Sequence, residues 1–405
     1  MIRRFVLLGS LYFAQGLPFG FFTQALPVIL RTRGYSLGEI GLTSLLAVPW
    51  ALKFVWAPVV DRRWWPRLGR RRSWILPMQL AGVIVLTTLA LAPIAESVPA
   101  LMVAMVVLNL IAATQDIATD GMAVDILPPA ERGFANGLQV AGYRVGMIIG
   151  GGVLLGLHDE LGQSGTFAAL AVLTALSSVP VLATREAPVV PVMSEQPRSH
   201  FLRRPGAWRL IALIVIYKAG EAFATGMLRP FLVDQHLSMS DVGWMLGTVG
   251  FIAGMLGALV GGALVTRIGR RRALVGFGIG QVLTVAGYVY LAFIHPSRPQ
   301  LYVWCGVEHF ASGMATAALF TCMMDWSVTE TSATDYTVQA SAVVIATGLA
   351  ATVSGFSAAA LGYAGHFLIA AVLCIVAVIA AGALFPRAGD GVNFDNVDNR
   401  GVTRS

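Results

Sequence analysis

Seven ionisable side chains stand inside long apolar stretches of this chain: Lys53, Asp116, Asp120, Arg144, Lys218, Glu221 and Glu308. A charge at the centre of a spanning helix costs about 2.5–3.5 kcal/mol on insertion scales and usually faces a bundle interior or a cavity. Each of the seven therefore needs a reason. A carboxyl group removed from water has its ionised form disfavoured and can take up a proton near neutrality. That makes Glu221, Asp116, Asp120 and Glu308 candidates for proton coupling, with Glu221 foremost because it lies deep. Lys53, Arg144 and Lys218 are candidates for holding an anionic group, and Arg can grip a carboxylate with two parallel hydrogen bonds. Asp116 and Asp120, four apart, share a helix face, as do Lys218 and Glu221, three apart. Lys53 lies eight residues before Asp61 and Arg144 twelve beyond Arg132, which places them ~12 Å and ~18 Å along their helices. The plainer alternative is that these charges neutralise one another to fix packing. Against it, a buried ion pair stabilises little relative to an apolar replacement.

The elements that must position these residues are membrane helices. Hydrophobic residues make up 56% of the 405, charged residues 12%, and the mean hydropathy is +0.73. A soluble domain carries roughly 25% charge. A spanning helix needs ~20 mostly apolar residues. Twelve stretches qualify: about 5–30, 38–60, 74–93, 100–126, 133–157, 166–183, 209–233, 242–265, 273–294, 300–326, 335–362 and 366–385. The expected class is an all-α membrane protein. The first stretch is too long for a cleaved signal and is kept as a helix. With the N-terminus cytoplasmic, 21 of the 28 basic residues fall on cytoplasmic segments and only Arg31, Arg33, Arg229 and Arg298 on the other side. The positive-inside rule favours that orientation, with both termini inside. The net charge of +7 is read as topology and not as a nucleic-acid surface.

The chain repeats itself. Arg67-Leu-Gly-Arg-Arg-Arg72 recurs as Arg267-Ile-Gly-Arg-Arg-Arg272, and Asp125 and Gln139 match Asp325 and Gln339 at the same offset of 200 residues. Ser36-Leu-Gly-Glu-Ile-Gly41 recurs as Ser238-Met-Ser-Asp-Val-Gly243. Two pseudo-symmetric six-helix bundles are expected, 1–183 and 209–386. They are joined by a cytoplasmic linker at 184–208 and followed by a polar cytoplasmic tail at 387–405. Parallel repeats of this kind build alternating-access carriers with the site near the midplane.

The basic turn between the second and third spans of each half, with Asp61 ahead of it, resembles the signature loop of the major facilitator superfamily. The resemblance implies a cytoplasmic gate of Asp61, Gly69, Arg70 and Arg71, with Gly269, Arg270 and Arg271 in the second half. The spacing departs from the family's: Gly69 lies eight residues after Asp61, and Gly261 stands where the second half would carry its Asp. Gln15-Gly-Leu-Pro18, Lys53-Phe-Val-Trp-Ala-Pro58, Gln115-Asp-Ile-Ala-Thr-Asp-Gly121 and Tyr217-Lys-Ala-Gly-Glu221 resemble the AmpG and acetyl-CoA transporter group. Gln24-Ala-Leu-Pro-Val28 and Gly137-Leu-Gln-Val-Ala-Gly-Tyr-Arg144 look most like siderophore permeases of the RhtX/FptX type. The resemblance implies import of an iron-siderophore complex across the bacterial inner membrane; the buried carboxyl groups point to proton coupling (symport), and both halves in one chain point to a monomer. The alternative is anhydro-muropeptide import. It also places the seven charges on spans that line or close a central cavity, with the third, sixth, ninth and twelfth spans as lipid-facing supports.

Tyr12, Phe13, Trp50, Trp56, Tyr143 and Tyr217 are available for stacking on a substrate ring, or for packing alone. Glycines four apart, Gly142/Gly146/Gly150 and Gly250/Gly254 with Gly257/Gly261, let helices approach closely. They read as surfaces on which the fifth and eighth spans slide. Cys305, Cys322 and Cys374 lie in apolar spans and form no disulfide framework. No resident cofactor or metal is expected. As a rival class, a membrane acyltransferase would use a His separated from an Asp by four residues, and His236 with Asp241 fits only as text; a non-transporting sensor is the third reading.

Overall fold

The computed structural model describes residues 2–32, 34, 46–91, 97–186, 201–294 and 296–386. Arg33, the Ser36–Gly41 repeat, most of the linker and the tail from 387 lie outside the described residues. Among the described residues the regular structure is helical throughout. The elements used below are α1 (Ile2–Gly20), α2 (Ala57–Arg62), α3 (Arg72–Leu91), α4 (Val98–Ile126), α5 (Pro129–Met147), α6 (His158–Ser177), α7 (Ala207–Gly226), α8 (Phe251–Ile268), α9 (Arg270–Phe293), α10 (Arg298–Asp325) and α11 (Ser332–Leu384). Nine described helices are long and apolar enough to cross a membrane.

One of the nine must be two spans. α11 has 53 residues, which at 1.5 Å each is about 80 Å, far beyond a ~30 Å hydrocarbon core. It breaks at Gly362, where φ is +67, a left-handed conformation that glycine adopts freely. That break coincides with the end of the eleventh predicted span. Gly162, 200 residues earlier, repeats it with φ +64. α10 is a further 28-residue helix, opened by Ser297 and Gln300 in a reciprocal capping box. Together with the interrupted second span these helices are consistent with twelve crossings.

The described chain forms two compact units. One comprises 1–126, 141–197 and 328–337; the other comprises 127–140, 198–327 and 338–405. Each borrows a helix start from the opposite sequence half. The first is built around Leu17, Phe21, Leu86, Leu101 and Phe167. The second is built around Phe231, Tyr288, Leu301 and Phe367, where the Tyr288 and Phe367 rings stack at 5.3 Å. Leu80, Ile84, Leu176, Leu283 and Ile379 on the third, sixth, ninth and twelfth spans are exposed. Exposed apolar side chains suit lipid contact.

Glycine decides the closest helix contacts. A Cβ at Gly146 would lie 2.2 Å from the Phe13 carbonyl oxygen, and at Gly150 2.1 Å from that of Leu17. The α5 stripe therefore packs on α1, inside its own unit, and does not form the predicted sliding face. Likewise Gly257 and Gly261 close on Phe310 and Met314 of α10, and Gly250 on His309. The fifth and eighth spans meet elsewhere, at Gly133 and Gly137 against Gly262 and Ala258. We expect Gly146→Val to lower the melting midpoint in detergent, since overpacking costs about 1–3 kcal/mol and here the neighbour is backbone that cannot rotate away. Gly152→Ala, at a position with nothing within 4 Å, should leave the midpoint unchanged.

Candidate functional site

The second span is interrupted at the residue that matters. A short helix Val48–Leu52 gives way to a 3-10 turn at Lys53–Val55 before α2 begins. Pro49 and Pro58 each sit in a first turn, where a missing N–H costs nothing. The break delivers Lys53 to α4. Its ammonium forms an ion pair with Asp116 and lies 3.7 Å from Asp120 Oδ2. Tyr12 on α1 donates to Asp120 Oδ1 at 3.0 Å. All four side chains are buried. Two carboxyl groups thus lie within reach of one lysine. The Trp50 ring lies 5.7 Å from Lys53 Nζ. Trp50 donates to Asn109 and Trp56 to Thr114, and Phe19 joins Trp50 edge-on and Tyr143 at a tilt in one aromatic cluster. Tyr217 donates to the Leu274 carbonyl. Arg144 is half-buried on α5.

The signature loop folds as a charge-clamped turn. Gly69 has φ +96 and Gly269 +86, so the repeated glycine serves the same left-handed turn in both halves. Asp61 Oδ1 accepts from Arg70 and from Arg71, each at 2.8 Å. Its Oδ2 accepts from the Thr334 backbone N–H at 2.7 Å and the Thr334 hydroxyl at 2.6 Å, satisfying a free N–H in the first turn of α11. Arg71 is 1% exposed. It also reaches Asp125 at 2.8 Å and Ser332 at 2.6 Å, and Ser332 donates to Asp125 at 2.5 Å. Burial disfavours the Arg71 charge, but Asp125 and Asp61 outweigh it and raise its pKa, so it stays charged. Despite the unusual spacing, Asp61 and the two arginines meet.

In the second half Asp325 takes the part that Gly261 cannot. It accepts from Arg132 at 2.9 Å and Arg270 at 2.8 Å, and Arg270 also donates to the Pro129 carbonyl. Arg271 points away from this cluster and donates to the Gly382 carbonyl.

α7 and α10 hold the remaining charges. Lys218 pairs with Glu221 at 2.5 Å and donates to Thr316 at 3.2 Å, while Ser312 donates to Glu221 Oε1 at 2.8 Å. The lysine and glutamate, placed on one face by sequence, do meet. Glu308 lies 2.7 Å from His309 Nδ1, which also faces the Cys305 carbonyl at 3.0 Å. The catalytic text His236…Asp241 does not assemble a centre: Asp241 is committed to Arg298 and, through its backbone oxygen, to Tyr302.

Sequence reasoning missed Arg132, Ser332, Thr334 and Glu186. Glu186, just past the sixth span, accepts from the backbone N–H of Arg71 at 3.0 Å and of Arg72 at 2.6 Å. It caps α3, where a carboxylate also suits the helix dipole. The same Arg71 whose side chain clamps Asp61 thus has its backbone fixed by the start of the linker. Losing such a cap costs about 0.5–2 kcal/mol. We therefore expect Glu186→Ala to slow transport about fivefold without loss of the inserted protein, read by uptake normalised to membrane content.

The comparisons agree with this construction. A family model described as Major Facilitator Superfamily matches residues 8–294 and 211–396. The chain belongs to the major facilitator superfamily and is a multi-pass membrane transporter. It is 31% identical over 389 residues to the "Anhydromuropeptide permease" of Escherichia coli (strain K12), covering 93% of this chain and 78% of that one. It is 24% identical to a "Putative transporter AmpG 4" of Rickettsia conorii (strain ATCC VR-613 / Malish 7), over 90% of this chain and 92% of that one. Among solved structures, the major facilitator transporter FucP superposes with a TM-score of 0.72 at 13% identity, covering 95% of this chain and 99% of that one.

Proposed function

We propose that this protein is a secondary active importer of anhydro-muropeptides, working by alternating access across a bacterial inner membrane with protons as the coupling ion. The observation that carries the reading is the buried Lys53–Asp116–Asp120 cluster on a broken span, in a chain 31% identical to a permease named for anhydro-muropeptides. A buried lysine suits the carboxylates of a peptide-bearing sugar, and a buried carboxyl beside it suits a proton. The relatives support this substrate over the iron-siderophore expected from the shorter runs around Gln24 and Gly137. The arginine distribution supports cytoplasmic termini, and both sequence repeats in one chain support a monomer.

Uptake into proteoliposomes tests it. A labelled anhydro-muropeptide should accumulate against its gradient when the lumen is alkaline, and a protonophore should abolish accumulation. Accumulation of a ferric siderophore instead, with the muropeptide excluded, would overturn the substrate assignment and leave the transporter.

A further inference from the structure

The Lys53 cluster holds its two carboxyl groups differently, in a way that assigns them separate tasks. Asp116 holds the ammonium directly, whereas Asp120 stands 3.7 Å off and is already engaged by the Tyr12 hydroxyl. Any guest anion that is to reach Lys53 must therefore displace Asp116. Two buried amides could receive such a guest. Gln15, one turn beyond Tyr12 on α1, is 2% exposed, and neither its Nε2 nor its Oε1 has a partner. Gln115, beside Asp116, has an unpartnered buried Nε2. A buried N–H without an acceptor costs about 1–3 kcal/mol, and a carboxylate would satisfy it.

We propose that Lys53 is an exchangeable counter-ion: a substrate carboxylate replaces Asp116 on Lys53, and the proton that neutralises Asp116 is the coupled proton. Asp120, fixed by Tyr12, is the standing partner that keeps the ammonium charged through the exchange. One proton enters with one carboxylate, so the net charge of the cluster is the same before and after. That condition matters where an uncompensated charge is costly. The proposal rests on the functional reading above and goes beyond it by naming the residue that releases the cation.

The titratable groups around Asp116 come from every packed element. α1 contributes Tyr12, the 3-10 turn Lys53, and α5 Tyr143, followed by Arg144. Arg71 pairs with Asp125 in the last turn of α4, and Tyr336 faces Tyr12. α3 carries only Arg72, at its start.

The experiment uses full-length protein in liposomes and a labelled anhydro-muropeptide with free peptide carboxylates. For wild type, KM should rise about tenfold per pH unit as protons become limiting, the slope of one linked proton. Asp116→Asn mimics the protonated state: it should exchange internal for external muropeptide, show a flat KM between pH 6 and 8, and fail to accumulate substrate. Asp120→Asn should keep the wild-type slope, and Lys53→Gln should lose exchange. A flat Asp120→Asn beside a sloping Asp116→Asn would overturn the assignment, as would uphill accumulation by Asp116→Asn. If Asp116→Asn does not insert, Asp116→Glu takes its place and must keep the slope with a displaced midpoint; an unshifted profile would equally overturn the assignment. A wild type that ignores the muropeptide refutes the substrate reading, and the same pH series is then run with a carboxylate-bearing ferric siderophore. There, a flat wild-type profile would refute the exchange.

Discussion

Arg71→Ala should reduce transport at least a hundredfold, the largest loss expected from any single residue of the signature loops. The side chain is almost wholly buried and is bound on three sides, by Asp61, Asp125 and Ser332. Its removal leaves two carboxylates without their common cation. Breaking a buried charge pair by removing one partner costs about 3–5 kcal/mol, and 1.4 kcal/mol is about a factor of ten in a population. Asp61 would still hold Arg70, and through Thr334 the first turn of α11, but Asp125 would have only Ser332. The expected state is one in which the start of α11 is held less firmly, by Thr334 on Asp61 and Ser332 on Asp125 alone. A single cysteine placed near Thr329 should then become reactive to an impermeant thiol reagent added on the side that bears the signature loop. Arg71→Lys should recover only part of the loss, because an ammonium cannot reproduce the planar fork that serves two carboxylates and a hydroxyl together. If Arg71→Ala,Asp125→Asn transports better than Arg71→Ala alone, the stranded carboxylate is the cause. If it does not, the arginine's contact to Asp61 carries the effect.

The parts of this assembly that the sequence reveals are those written in local pattern. Apolar run lengths place the spans, and the break at Gly362 falls where the eleventh run ends. The repeated basic turn predicts matching glycines, and Gly69 and Gly269 do share a positive φ. Residues three or four apart on a helix must share a face, so Lys218 with Glu221 is legible. What the sequence hides depends on partners distant along the chain. Thr334 and Asp61 are 273 positions apart, and a serine or threonine at a helix start looks the same whether it meets solvent or a remote carboxylate. Glu186 looks like linker composition until its oxygens are seen on the Arg71 and Arg72 amides. The interruption at Lys53 left a trace in Pro49 and Pro58, but a continuous apolar count runs straight through it. The glycine stripes were visible, while their partners depended on which neighbour each helix meets: α1 and α10 took them.

The Lys218–Glu221 pair gives the second large effect, and it separates packing from transport. Both Glu221 oxygens are engaged in this structure, one accepting from Lys218 and the other from Ser312. Its cation is Lys218, one turn away on the same helix. Replacing either member alone leaves a buried charge, so Glu221→Gln and Lys218→Met should each lower the amount of folded protein, by about 3–5 kcal/mol if the membrane-inserted state cannot relax. Replacing both, as Lys218→Met,Glu221→Gln, removes the imbalance and should restore insertion to near the wild-type level. Transport should not return with it. A neutral, well-folded α7 offers no cation to a second substrate carboxylate, so uptake by the double variant should stay below about one-hundredth of wild type, the equivalent of about 3 kcal/mol of lost binding. Detergent melting curves and proteoliposome uptake measured on the same preparations read the two quantities separately. Recovery of both together would make the pair a packing device and leave the Lys53 cluster as the sole charged site in the proposed pathway. Recovery of folding alone would assign the anion to two lysines, one on the interrupted second span and one on α7.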